Sequence, residues 1–180
     1  MSSLAIAAWG KSRRFGKATR ARSILTRMIE MYESGKLSAK PNTHCYTAVI
    51  NSCAYCEKDE VEKREALQIA IDTYKDLVSS GYDQPNQITF STLITALRNL
   101  MPNSPKRTQV IGNVFRKCAD NGHVEEFVIR RLQSSLSVAY LRELLGDDAV
   151  ADDGSVNIDQ LPAEWRRNAR VITPRRKLKL

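Results

Sequence analysis

Apolar residues recur at helical spacing in paired stripes along most of the chain. Tyr46, Val49, Ile50, Cys53 and Ala54 follow i, i+3, i+4, i+7, i+8, and Phe90, Leu93, Ile94 and Leu97 obey the same rule. Ala5, Ile6 and Trp9 occupy the matching places near the start. Each of these predicted helices is followed by a second, whose stripe is spaced i, i+4, i+7: Ala21, Leu25, Met28; then Ala70, Tyr74, Leu77; then Ile111, Phe115, Cys118. A glycine follows each second stripe (Gly35, Gly81, Gly122), as suits a helix end that needs a left-handed residue. Pro41-Asn42 and Pro85-Asn86 then block continuation and restart the pattern, 44 residues apart.

Laid out at that period, Ser3-Leu-Ala-Ile-Ala aligns with Thr47-Ala-Val-Ile-Asn and Ser91-Thr-Leu-Ile-Thr. Self-similarity at a fixed period of tens of residues predicts a repeat array. A single helix pair cannot bury its apolar face alone, so neighbours must stack. The expected fold is all-α, an α-solenoid of antiparallel helix pairs with a helical C-terminal cap. Residues 1–122 make three helix-turn-helix units, the first lacking its opening turn, which fits a chain truncated at its start or part of a longer array. Residues 123–146 carry two capping helices, marked by Phe127, Val128, Leu132 and Leu136 and then by Val138, Leu141, Leu144 and Leu145. Residues 147–161 read as a polar, flexible acidic loop. Residues 162–180 hold a short helix, with Trp165 placed to dock it on the body, and a basic tail disordered from Pro174.

Charge sharpens the picture. The net charge is +8, and no acidic residue precedes Glu30, whereas Lys11, Arg13, Arg14, Lys17, Arg20, Arg22 and Arg27 do. A second basic cluster closes the chain after the acidic stretch Asp147–Asp159. Such clusters suit a polyanion, nucleic acid before an anionic membrane. No apolar run is long enough for a membrane span. The acid-free start also resembles an organellar presequence, but it aligns with the later units, so the repeat reading is preferred.

Candidate chemistry is sparse. Cys45, Cys53, Cys56 and Cys118 suit free thiols in a reducing compartment. Cys53-Ala-Tyr-Cys56 has redox or zinc spacing, yet one such pair falls short of four ligands, and Cys53 lies on an apolar face. No phosphate-binding glycine loop, nucleophile motif or paired-histidine metal motif occurs, and the aspartates after Gly146 read as a solvated loop. No enzyme activity, metal or cofactor is expected.

Several stretches carry a family resemblance: Ala8-Trp-Gly-Lys-Ser12, Met28-Ile-Glu-Met-Tyr-Glu-Ser-Gly35, Lys40-Pro-Asn42 with Tyr46, and Gln84-Pro-Asn86 with Phe90. Over about residues 1–126 the chain resembles the pentatricopeptide repeats. The tetratricopeptide relative, with a period near 34, fits less well. The units run about nine residues longer than the family's usual length, with the surplus placed around Arg13–Lys17, around Glu57–Arg64 and before Pro41. The resemblance implies a right-handed superhelix that binds single-stranded RNA in mitochondria or plastids and serves its processing, stability or translation.

The resemblance also assigns base reading to the residue after the aromatic of one unit and the last residue of that unit. That pairs Ser3 with Asn42 and Thr47 with Asn86, a hydroxyl–amide combination the family uses for adenine. Ser91 is the corresponding member of the third unit, and counting from Gly122 makes Glu126 its partner. Independently, a short hydroxyl and an amide supply donors and acceptors that match an unstacked base edge. The competing expectation is that each asparagine is only a turn and helix cap. The alternative function is an α-solenoid scaffold that grips a protein partner.

Overall fold

Short polar side chains start the helices. In the computed structural model, which describes residues 2–12, 14–56 and 59–169 with the side chains of Ser2 and Ser3 excepted, Asn42, Asp59, Asn86, Ser104 and Ser137 each accept backbone N–H bonds at a helix N-terminus. Such caps satisfy donors that the helix itself leaves unpaired. Eight α-helices follow among the described residues: α1 (Ser2–Lys11), α2 (Lys17–Glu33), α3 (Thr43–Cys53), α4 (Glu60–Ser79), α5 (Gln87–Leu100), α6 (Pro105–Asp120), α7 (Glu126–Gln133) and α8 (Val138–Leu145). Gly35, Gly81 and Gly122 follow α2, α4 and α6 with φ of 99°, 68° and 70°, the left-handed stop the sequence predicts.

Each helix from α1 to α5 packs on its successor, as α7 does on α8, and a second set of contacts skips one helix. α1 lies against α2 and α3, α3 against α4 and α5, and α5 against α6 and α7, while α2 also meets α4. One apolar cluster runs through all of them, with Ile6, Leu25, Tyr46, Ile50, Leu77, Phe90, Phe115 and Leu132 fully buried. Phe90 links adjacent elements, its ring 6.1 Å from that of Tyr74 on α4 and 6.5 Å from that of His123 ahead of α7. Cys53 is fully buried in this cluster, as its place in the apolar stripe requires.

Two expectations change. Glu60–Arg64 is not interhelical loop but the first turns of α4, because Asp59 caps that helix early through Val61 and Glu62 N–H groups at 2.9 and 2.8 Å. The acidic segment is folded rather than a flexible loop. Val150 and Val156 form an antiparallel bridge, Ala149, Val150 and Leu161 are buried, and Arg142 and Arg166 pair with Asp152 and Asp159. Its aspartate content hides the apolar residues interleaved between the charges. Beyond it, Trp165 in a 3-10 turn (Ala163–Arg166) sits edge-on to Phe115 at 5.7 Å, and its carbonyl accepts the Val124 N–H at 2.9 Å. That docking is the one foreseen for Trp165. The basic tail from Pro174 lies outside the described residues.

Candidate nucleic-acid interface

The residues assigned to base reading fall at the junctions between units. At the α3–α5 junction, Asn86 caps α5 by accepting the N–H groups of Ile88 and Thr89 at 3.0 and 3.1 Å. Thr89 answers as the second half of a capping box: its hydroxyl accepts the Asn86 N–H at 3.3 Å and donates to Asn86 Oδ1 at 3.3 Å. The Thr47 hydroxyl of α3 lies 2.8 Å from Thr89 Oγ1. A hydroxyl carries one proton and two lone pairs, and Thr89 has spent its proton on Asn86. Thr47 is therefore the donor in that contact. Thr47, Thr89 and Asn86 form one continuous hydrogen-bonded chain across two units.

The chain determines what chemistry remains. Asn86 Oδ1 is committed to three donors, which leaves its amide N–H groups as the unspent function. Thr47 has given away its proton and keeps oxygen lone pairs, on a residue that is 8% exposed. The junction thus holds one residual acceptor and one residual donor. Thr89, which completes the relay, was not foreseen from the sequence. Its signal was present as Asn86-x-x-Thr89, a variant of the capping-box spacing.

The other two junctions differ. Asn42 also caps its helix, accepting the Cys45 N–H at 3.1 Å, but the residue at the Thr89 position is a cysteine and no capping box forms. The N-terminus of α3 instead receives Asp83 from the end of its own unit, whose Oδ2 accepts the Thr43 N–H at 2.8 Å. That bond holds the Asp83 carboxyl below the usual aspartate range. Ser3 lies on α1, with its side chain outside the described residues. In the third unit Ser91 is 6% exposed and its hydroxyl returns to the Ile88 carbonyl at 3.0 Å. The N-cap equivalent to Asn86 is Glu125, one place before the counted Glu126, which pairs with Arg130 at 3.2 Å. Val128 stands where Thr89 would be, so no hydroxyl relay can form there.

Several of the cations at the front of the chain are committed within the fold. Arg22 pairs with Asp76, and Lys17 is 6% exposed with its ammonium 5.9 Å from the Tyr55 ring centroid. Lys11 and Arg14 are exposed and make no ion pair with a described residue. Arg13 and the tail arginines lie outside the described residues. All four cysteines are buried, and burial pushes Cys53 up, Cys56 up to about 11 and Cys118 up to about 12, so the thiolates of these three are disfavoured. Among the described residues no His, Cys, Asp and Glu group is arranged to hold a metal ion. No helix there is long and apolar enough to cross a membrane. Comparison with protein-family models, curated proteins and solved structures finds no match to this chain.

Proposed function

We propose that the chain is a non-catalytic, single-stranded RNA-binding module: a short α-solenoid of pentatricopeptide type whose C-terminal helices cap the last unit. The skip-one contacts of α1, α3, α5 and α7 support stacked helix pairs. An organellar role in RNA processing, stability or translation goes with that reading. The observation that carries it is the Thr47–Thr89–Asn86 chain, which brings the two residues of one reading pair into a single polar array. Its residual acceptor and donor can meet the Watson–Crick edge of a base, where each of the four bases presents a donor beside an acceptor. The adenine preference comes from the resemblance.

The test is fluorescence anisotropy with short adenine, cytosine, uracil and guanine RNA oligomers and matched DNA, across a salt series. Salt-sensitive binding that prefers adenine, and loses that preference in Thr47→Val, is the expected result. Equal weak binding to every strand would overturn base reading and move the assignment to the second function, a protein-binding scaffold. One observation favours that second reading: the hydroxyls of Thr47 and Ser91 are both nearly buried and bonded within the fold.

A further inference from the structure

The loops that join the helices within the first and second units meet at one edge of the molecule. The Gly16 N–H of the first loop donates to Glu62 Oε1 of α4 at 2.9 Å, and the Lys17 ammonium at the start of α2 lies 5.9 Å from the Tyr55 ring centroid of the second loop. Phe15 directly precedes Gly16 and is 74% exposed, while Tyr55 is 51% exposed. These are the two aromatic rings among the large hydrophobic side chains left in solvent by the described residues; the others are aliphatic. Single exposed apolar residues are ordinary, but two rings on adjoining loops are not explained by the packing of the core.

The charges around the rings identify what would cover them. Among the described residues, Asp59 caps α4, Glu60 pairs with Lys63 at 2.7 Å, and Glu62 accepts the Gly16 N–H. Lys11 and Arg14 flank Phe15 with no carboxylate partner among the described residues. Exposed rings beside uncompensated cations match a chain of stackable bases on a phosphate backbone, since every base offers a flat face and every linkage a negative charge. An anionic protein segment would satisfy the cations but leave the ring faces without a flat partner.

We propose that this loop edge is a sequence-independent stacking site for single-stranded nucleic acid, in which Phe15 and Tyr55 each stack a base and Lys11 and Arg14 contact phosphates. The inference rests on the RNA-binding reading but uses none of the junction residues. It adds affinity without base choice, which a module with so few reading positions needs.

The test uses the full chain and labelled mixed-sequence RNA oligomers. Phe15→Leu and Tyr55→Leu keep apolar bulk and remove the rings, with Tyr55→Phe as the conservative rescue. Circular dichroism checks that each variant is folded. The expected result is a loss of about fivefold or more per ring, equal for all oligomers, restored by Tyr55→Phe, with base preference unchanged. Ultraviolet crosslinks from uridine to peptides containing Phe15 or Tyr55 would support the same placement. If the leucine variants bind as tightly as the parent chain, the stacking site is overturned while the RNA reading stands. If the parent chain binds no RNA, both fall together.

Discussion

Asn86 caps α5 and, in the proposed function, also reads a base, and a pair of substitutions separates the two roles. As a cap, it accepts two backbone N–H groups at 3.0 and 3.1 Å and the Thr89 hydroxyl at 3.3 Å. Asn86→Ala removes all three acceptor contacts and leaves the fully buried Thr89 short of a partner. Losing an N-cap of this kind costs about 1–2 kcal/mol. In a chain of this size that lowers the thermal midpoint by roughly 2–8 °C. Asn86→Asp keeps the acceptor and places a negative charge at the positive end of α5, which adds about 0.3–1 kcal/mol. Its stability should equal or exceed that of the parent chain. The reading chemistry responds differently, because the aspartate offers a second acceptor where the amide offered donors. Affinity for adenine oligomers should fall about tenfold, with preference moving toward guanine, whose N1–H and N2–H groups both donate. Urea unfolding followed by helical circular dichroism, beside anisotropy on the four oligomers, measures both effects. An alanine variant as stable as the parent, or an aspartate variant as unstable as alanine, would refute the cap assignment.

Three further outcomes follow from the packing. Tyr46 is fully buried, and its hydroxyl makes no hydrogen bond of ordinary geometry although Ser80 lies nearby. Tyr46→Phe should therefore be neutral or gain up to about 1 kcal/mol in urea unfolding, and a loss above that size would reveal a bond the structure lacks. Gly112→Ala would bring a methyl group 2.6 Å from the Tyr140 hydroxyl and 3.2 Å from its ring. The usual helical gain of about 1 kcal/mol for alanine over glycine should be absent in the parent chain and reappear on a Tyr140→Ala background, which a double-mutant cycle reads directly. Burial holds His123 below its ordinary value of 6.5, so its neutral form is favoured in the folded state. Its contribution is complete above about pH 6.5 and is lost as pH falls from there through the depressed value, because the unfolded chain takes up the proton first. Urea midpoints at pH 7.5 and 5.5 should differ less in His123→Phe than in the parent; an unchanged difference would place the acid sensitivity elsewhere.

Helices and their ends were legible because the signals are local and act together. The stripe Tyr46, Val49, Ile50, Cys53 reports a buried face, and Asn42, Asn86 and the three glycines report where the chain must start and stop. What escaped was decided by partners distant in sequence. The acidic segment reads as solvent-exposed until Val150 meets Val156 and Arg142 reaches Asp152. The Thr47–Thr89 bond spans 42 positions and has no local signature beyond the capping spacing at Asn86. The count that made Glu126 the third partner assumed a fixed distance from Gly122, whereas the cap of α7, Glu125, falls one residue before the counted position.

The three junctions can be ordered by one substitution at the third residue of the following helix. Thr89 has a hydroxyl that bridges its cap to Thr47. Cys45 has a thiol, a weak donor that builds no capping box, and Val128 has nothing polar at all. A polar relay thus exists at the α3–α5 junction, the capping box is missing at α3, and apolar packing stands at α5–α7, where Ser91 turns back to its own helix. That return keeps the Ser91 hydroxyl bonded, since an unsatisfied hydroxyl against Val128 would be costly. Val128→Thr tests the ordering. If the relay is set by this position, the new hydroxyl should draw Ser91 away from the Ile88 carbonyl and cost less than about 1 kcal/mol, whereas an unpartnered hydroxyl at a fully buried site would cost about 1–3 kcal/mol. Ser91→Ala in the same background distinguishes the two: it should leave the unfolding midpoint lower only where the pair has formed.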